Sequence, residues 1–243
     1  MSAPLARRVR DALRRVADPV RAPMMQRYMK SSMPFLGVPA PVLRRTCSSV
    51  YEDEDFRDAG TWSSAALSVW RGARYREVRY AAVHFTGDRR ARPFQAMDAL
   101  PMYEEMIMTG AWWDTVDDIA THRLGDLLRR QPAPMKRIMR QWSRSDDLWK
   151  RRSAILAQLS FGTSTDTQLL YDCIAPSLSS REFFLRKAIG WVLRQLAWHE
   201  PRAVLRYVAE HAQELSPLSR REALKNLAQK GHEIRVPAAA RRR

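Results

Sequence analysis

A chain of 243 residues, 45% of them apolar, is long enough to bury a substantial core and too apolar to be disordered throughout. Its 42 Lys and Arg against 26 Asp and Glu leave a formal charge of +16, which favours a polyanionic partner, nucleic acid first and an anionic membrane surface second. Two distant cysteines, Cys47 and Cys173, with no CxxC spacing argue against a disulfide framework or a zinc ribbon and fit a reducing cytoplasm.

The N-terminal segment MSAPLARRVRDALRRVADPV carries arginines throughout and lacks the apolar stretch of a secretory signal, and no run reaches the length of a membrane span. A soluble protein with no membrane partner is expected. Helical periodicity then recurs with almost no strand alternation. Leu5 to Ala17 reads as a basic amphipathic helix stopped before Pro19, and Pro19 to Lys30 as a second, followed by the proline-bracketed loop MPFLGVPAP. Val42 to Tyr51, Trp62 to Trp70 with Thr61 as its N-cap, and Arg76 to Phe85 continue the series. Pro101 divides a helix over Phe94 to Leu100 from one over Met102 to Met108. A longer helix over Trp112 to Arg130 ends at Pro132, and Pro134 to Trp142, Asp146 to Leu159 and Thr165 to Ile174 come next. Ser179 with Glu182 reads as a capping box for a helix to Ala197. Ala203 to Gln213 follows, and Ser219 with Glu222 reads as a second box opening the last helix, to Lys230. The tail VPAAARRR, 236–243, is expected to be unstructured, leaving 1–235 as a single domain.

Roughly a dozen short helices joined by Pro- or Gly-marked turns predict an all-α fold of paired helices. Pairs of this size stack into an α-solenoid of two-helix repeats, whose concave face, lined with arginine, would track a duplex backbone.

Chemistry concentrates in GAWWDTVDDIATHRL, 110–124. Trp113 and Asp117, four residues apart, share one helix face, and a flat aromatic beside a carboxylate suits a flat cationic group. The alternative is that both tryptophans are core and the aspartates serve the helix dipole. Three other segments accompany it. WKRRSAILAQL offers Arg151 and Arg152, which could equally be solvated. FFLRKAIGWVLRQLAW sets Lys187, Trp191 and Arg194 at i, i+4 and i+7, a basic–aromatic–basic stripe unless Trp191 is core and the cations snorkel. MQRYMKSSMPFLGVPAPVLRR presents Tyr28, Lys30 and a rigid turn to a backbone phosphate, unless Phe35 and Leu36 only plug the fold. Phosphate-loop, dinucleotide-binding, nucleophile-elbow and H-E-x-x-H patterns are missing, and the five histidines (84, 122, 199, 211, 232) have no ligand spacing, so no metal is expected.

With YMKSSMPFLGVP, WWDTVDDIA, RRSAIL, KAIGWVLRQLA and LSPLSRREAL in this order and spacing, the chain resembles the AlkD-type DNA alkylation repair glycosylases from about Ala6 to Lys230. The resemblance implies a right-handed solenoid of HEAT-like repeats with a concave basic DNA-binding face. It places the catalytic carboxylate on Asp117 rather than Asp114, the sugar-facing aromatics on Trp113 and Trp191, and a phosphate-contacting arginine on Arg152. It implies hydrolysis of the N-glycosidic bond of cationic N3- or N7-alkylated purines in duplex DNA, leaving an abasic site, with no base-flipping pocket and no cofactor. A cytoplasmic monomer is the default expectation, with Tyr28, Lys30, Arg151, Lys187 and Arg194 as DNA contacts. Two rivals stand beside it: a non-catalytic solenoid that binds distorted or branched DNA, and a helical scaffold for protein or RNA.

Overall fold

The structure is a computed structural model that describes residues 4–54 and 56–229. The expected basic tail at 236–243 and the last helix's end at Lys230 lie outside the described residues. Among the described residues the regular secondary structure is entirely helical, and the chain divides into two compact units after Gly110.

The first unit contains α1 (Leu5–Arg15), α2 (Arg21–Met29), α3 (Ala40–Tyr51), α4 (Ala59–Arg71), α5 (Arg76–Phe85) and α6 (Leu100–Gly110). Along α1, Leu5, Val9, Ala12 and Leu13 are buried at helical spacing against α3, α4 and α5, while Arg7, Arg14 and Arg15 stay exposed. The helix α4 starts three residues earlier than expected. Its cap is Asp58, whose carboxylate accepts from Thr61 N at 2.7 Å while the Thr61 hydroxyl faces Asp58 N, so Thr61 is the fourth member of a capping box rather than the cap. The expected helix over 94–100 is replaced by two 3-10 turns, Arg89–Phe94 and Met97–Ala99; Pro93 supplies no N–H and disfavours α geometry in the residue before it.

The loop MPFLGVPAP is fastened from inside. Glu77 on α5 is wholly buried, and its carboxylate accepts from Leu36 N (2.9 Å), Gly37 N (2.8 Å) and Val38 N (3.1 Å). Gly37 sits at φ 83°, and a Cβ there would lie 2.0 Å from Asp18 O, so only glycine fits the turn. Phe35 and Leu36 are buried as plugs, while Tyr28, 78% exposed, and Lys30 project from the end of α2.

The second unit runs through α7 (Trp113–Asp118), a π-helical turn (Ile119–Leu124), α8 (Gly125–Arg130), α9 (Pro132–Trp142), α10 (Leu148–Leu156), α11 (Thr167–Ile174), α12 (Phe183–Leu196), α13 (Pro201–Glu210) and α14 (Pro217–Gln229). The expected helix over 112–130 is therefore interrupted by a wider turn that begins two residues after Asp117; the extra residue of such a turn swings later side chains by roughly a hundred degrees relative to Trp113 and Asp117. Asp147, which accepts from Trp149 N and Lys150 N, caps α10 and sets its start. Neither predicted capping box in this unit forms. At α12 no side chain caps the helix, and Ser180 rather than Ser179 takes the Glu182 N–H on its hydroxyl and the Arg186 Nε–H on its carbonyl. At α14 the cap is Ser216, whose hydroxyl accepts from Ser219 N at 3.0 Å, which leaves the Glu222 carboxylate for other partners.

The core of this unit gathers around α12, whose Leu185, Ala188, Ile189, Val192, Leu193 and Leu196 are buried among residues of α10, α13 and α14. Gly190 is the reason α14 comes so near. A Cβ at this position would lie 2.5 Å from the Glu222 Cβ and 2.9 Å from Ser219 O. Ser219 adds a hydrogen bond from its hydroxyl to Arg186 O at 3.0 Å, fixing the first turns of α14 along the backbone of α12.

Candidate functional site

Beside that core, against which the half-buried Trp191 packs, α7, α10, α12 and α14 line a cleft of about 370 Å³ within the second unit. Trp113, Asp117, Arg152, Lys187, Trp191 and Arg194, drawn from three separate sequence segments, all line it, together with Phe183, Phe184 and Glu222. Helical spacing accounts for much of this. Trp113 and Asp117 come from one face of α7, and Lys187, Trp191 and Arg194 from one face of α12.

The centre is a bidentate ion pair. Arg152 Nε donates to Asp117 Oδ1 and its Nη2 to Oδ2, each at 2.7 Å, while Nη1 donates to Phe184 O. The side chains are 5% and 14% exposed, so Arg152 is sealed and the carboxylate keeps a small opening to the cleft. Arg152 was expected at a phosphate. In the structure it faces inward, a planar fork holding a planar carboxylate in a fixed orientation. Burial pushes the Asp117 carboxyl above the ordinary aspartate range, outweighing the hydrogen bonds and charge of Arg152 that pull it down; the neighbouring Asp114 adds a smaller upward push. A further positive charge in the cleft would favour the ionised form of this carboxylate.

The two adjacent tryptophans divide their work. Trp112 packs edge-on to Phe184 (centroids 5.3 Å apart) and beside Trp149 (6.3 Å), a buttress behind the site, whereas Trp113 stands half-buried on the cleft wall. Trp191 is half-buried on the α12 wall. The other carboxylates of the segment turn elsewhere: Asp114 accepts from Thr115 N at 2.8 Å, and Asp118 lies exposed, 3.8 Å from Arg123. Arg151 is half-buried on α10 and does not line the cleft, and Tyr28 and Lys30 belong to the first unit.

Sequence reasoning missed Phe183, Phe184 and Glu222. The two phenylalanines read as ordinary apolar residues at a helix start, and Glu222 read as part of a cap. The glycine in the middle of KAIGWVLRQLA was the available signal, because a glycine costs about 1 kcal/mol inside a helix and marks close approach by another backbone. What approaches is the turn of α14 that carries Glu222.

An all-helical scaffold that sets a largely buried carboxylate among aromatic faces and cations, in a chain of net charge +16, suits a cationic group carried on a polyanion. Residues 9–227 match the family of DNA alkylation repair enzymes, and the chain belongs to that family. A solved structure described as a predicted DNA alkylation repair enzyme from Enterococcus faecalis is similar, with 27% sequence identity and a TM-score of 0.75 over 88% of this chain and 97% of that one. No curated protein matches it. The protein's role lies in the repair of alkylated DNA.

Proposed function

We propose that the protein is a monofunctional DNA glycosylase that hydrolyses the N-glycosidic bond of cationic N3- or N7-alkylated purines in duplex DNA. The observation that carries this reading is the Asp117 carboxylate, fixed by Arg152 and opening into a cleft walled by Trp113 and Trp191. A purine alkylated at N3 or N7 already carries a positive charge, so when the C1′–N bond breaks its electron pair stays with the base, which leaves neutral. No general acid is required, and one carboxylate replaces the pair used by ordinary glycosidases.

Positive charge develops on the deoxyribose as the bond lengthens. Asp117 would stabilise that oxocarbenium-like centre and orient the water that adds to C1′, taking up the proton the water gives away. Elevation above the ordinary carboxylate range makes the ionised Asp117 a stronger base than a solvated aspartate. Trp113 and Trp191 would add cation–π attraction of about 0.5–2 kcal/mol each. Arg152 would serve by holding Asp117, and the phosphate contacts would fall to Lys187 and Arg194 on the cleft wall. Lys187 lies 3.0 Å from Glu222 on this wall. The protein would act as a cytoplasmic monomer without a base-flipping pocket.

Incubation with methylated duplex DNA tests the reading. Free 3-methyladenine or 7-methylguanine and matching abasic sites, without strand cleavage, are expected. Duplex binding should weaken steeply with salt, by about 0.9 in the log–log slope for each phosphate neutralised. Absence of base release from both a methylated duplex and one carrying a bulky N7 adduct would refute the glycosylase.

A further inference from the structure

Glu222 has no part in the mechanism above, yet it lines the same cleft. Its Oε1 lies 3.0 Å from Lys187 Nζ, and its Oε2 accepts from Arg194 Nη1 at 2.8 Å. These cations sit one turn either side of Trp191, so one carboxylate spans the whole basic–aromatic–basic stripe. The arrangement is built rather than incidental. Gly190 lets the Glu222 Cβ come within van der Waals reach of the α12 backbone, and Ser219 ties the same turn of α14 to Arg186 O. Glu222 itself is only 16% exposed on its side chain. Lys187, with a smaller contribution from Arg194 and Lys225, pulls its carboxyl below the ordinary glutamate range.

From this geometry we infer that Glu222 is a specificity-determining residue: its carboxylate stands in for a DNA phosphate between Lys187 and Arg194, and so penalises binding of undamaged duplex. The inference rests on the glycosylase reading. Undamaged DNA binds such a protein through phosphates alone. A phosphate approaching Lys187 or Arg194 must compete with an anion already seated there, and it meets the repulsion of that anion as well. A lesion-bearing site differs by one positive charge on the base. The cleft lining carries Arg152, Lys187 and Arg194 against Asp117 and Glu222, and both carboxylates favour that added charge. Glu222 thus lowers affinity everywhere on DNA but least where an alkylated purine sits. Discrimination by a built-in unfavourable contact with the wrong target is a general route to specificity.

The test is Glu222→Gln, which preserves shape and removes the charge, beside Glu210→Gln, which removes an exposed carboxylate at the end of α13. Fluorescence anisotropy with undamaged duplex is run across a salt series, and undamaged duplex is also used as a competitor of base release from methylated DNA. Glu222→Gln should bind undamaged duplex about 3- to 10-fold tighter, as expected for removal of a partly buried charge facing a polyanion. Its salt slope should steepen by up to about 2, one step of roughly 0.9 for each cation released to a phosphate. Competitor DNA should inhibit it at correspondingly lower concentration, while Glu210→Gln changes by less than about 2-fold. Glu222→Asp, which keeps the charge but is too short to span both cations, should fall between wild type and Glu222→Gln and carries the test if Glu222→Gln does not fold. Affinity no higher than in Glu210→Gln, with base release intact in wild type, would overturn this inference alone. Failure of the wild type to bind duplex would overturn it together with the glycosylase reading.

Discussion

Gly190→Ala is the smallest change that tests how the cleft is assembled. The new methyl carbon would lie 2.5 Å from the Glu222 Cβ, 2.9 Å from Ser219 O and 3.2 Å from Ser219 Cα. None of these atoms is the far end of a flexible side chain. Reaching an ordinary separation of 3.4 Å from the Glu222 Cβ requires α14 to retreat by about 0.9 Å. Such a shift stretches the Ser219–Arg186 hydrogen bond and draws Glu222 away from Lys187 and Arg194. Overpacking of this kind costs about 1–3 kcal/mol. Alanine returns up to about 1 kcal/mol in helix propensity. A net loss of about 1–2 kcal/mol follows, lowering the melting temperature by roughly 2–8 °C for a chain of this size. Thermal denaturation followed by circular dichroism reads it, with Gly60→Ala as the comparison. At Gly60 a Cβ would meet only the Asp58 carboxylate oxygen, at 3.2 Å, so its melting temperature should stay within about 2 °C of wild type. A Gly190→Ala protein as stable as wild type would refute the close approach of α12 and α14.

The acid limb of base release against pH should lie above the ordinary aspartate value of 3.8, because Asp117 must be ionised and its folded-state pKa is raised. Asp114→Asn removes a negative neighbour, lowers the Asp117 pKa and should move that limb to lower pH; a shift to higher pH would contradict the assignment of the limb to Asp117. The same raised pKa means that Asp117 favours the folded state below its unfolded pKa, and that this contribution is lost as pH rises through the folded value. In the first unit, Glu77→Gln replaces a carboxylate oxygen by an amide facing a backbone N–H. It should cost about 2–4 kcal/mol and release hydrogen-exchange protection at Leu36, Gly37 and Val38, whereas unchanged protection would show that the loop is held some other way.

What the sequence made legible was periodic. Spacings of three and four put Trp113 with Asp117, and Lys187 with Trp191 and Arg194, on single helix faces before any packing was known, and the structure brings both faces to one cleft. The all-helical fold was legible for the same reason. Pairings across the chain were not. Arg152 lies 35 positions from Asp117, and only the packing of α10 against α7 turns its fork inward rather than outward. Asp58 and Ser216 took the caps given to Thr61 and Ser219, because serine, threonine and aspartate within one turn compete for the same N–H groups and the winner depends on where the chain enters the helix. The π-helical turn after Asp118 left no mark, since its residues keep an apolar pattern compatible with an ordinary helix. Glu222 was hidden by a plausible local role, and only the glycine facing it across the helix pair pointed further.

If the Asp117 carboxylate stabilises the charge that develops as the glycosidic bond breaks, Asp117→Asn removes that stabilisation. The amide retains the shape and part of the hydrogen bonding to Arg152 but carries no charge. Release of free alkylpurine from methylated duplex should fall by at least 100-fold, on the scale of losing one positioned electrostatic stabiliser. Duplex affinity should hold or rise slightly, because a negative charge near the phosphates is gone. Wild-type rates of base release from a well-folded Asp117→Asn protein would show that Asp117 is not the catalytic carboxylate.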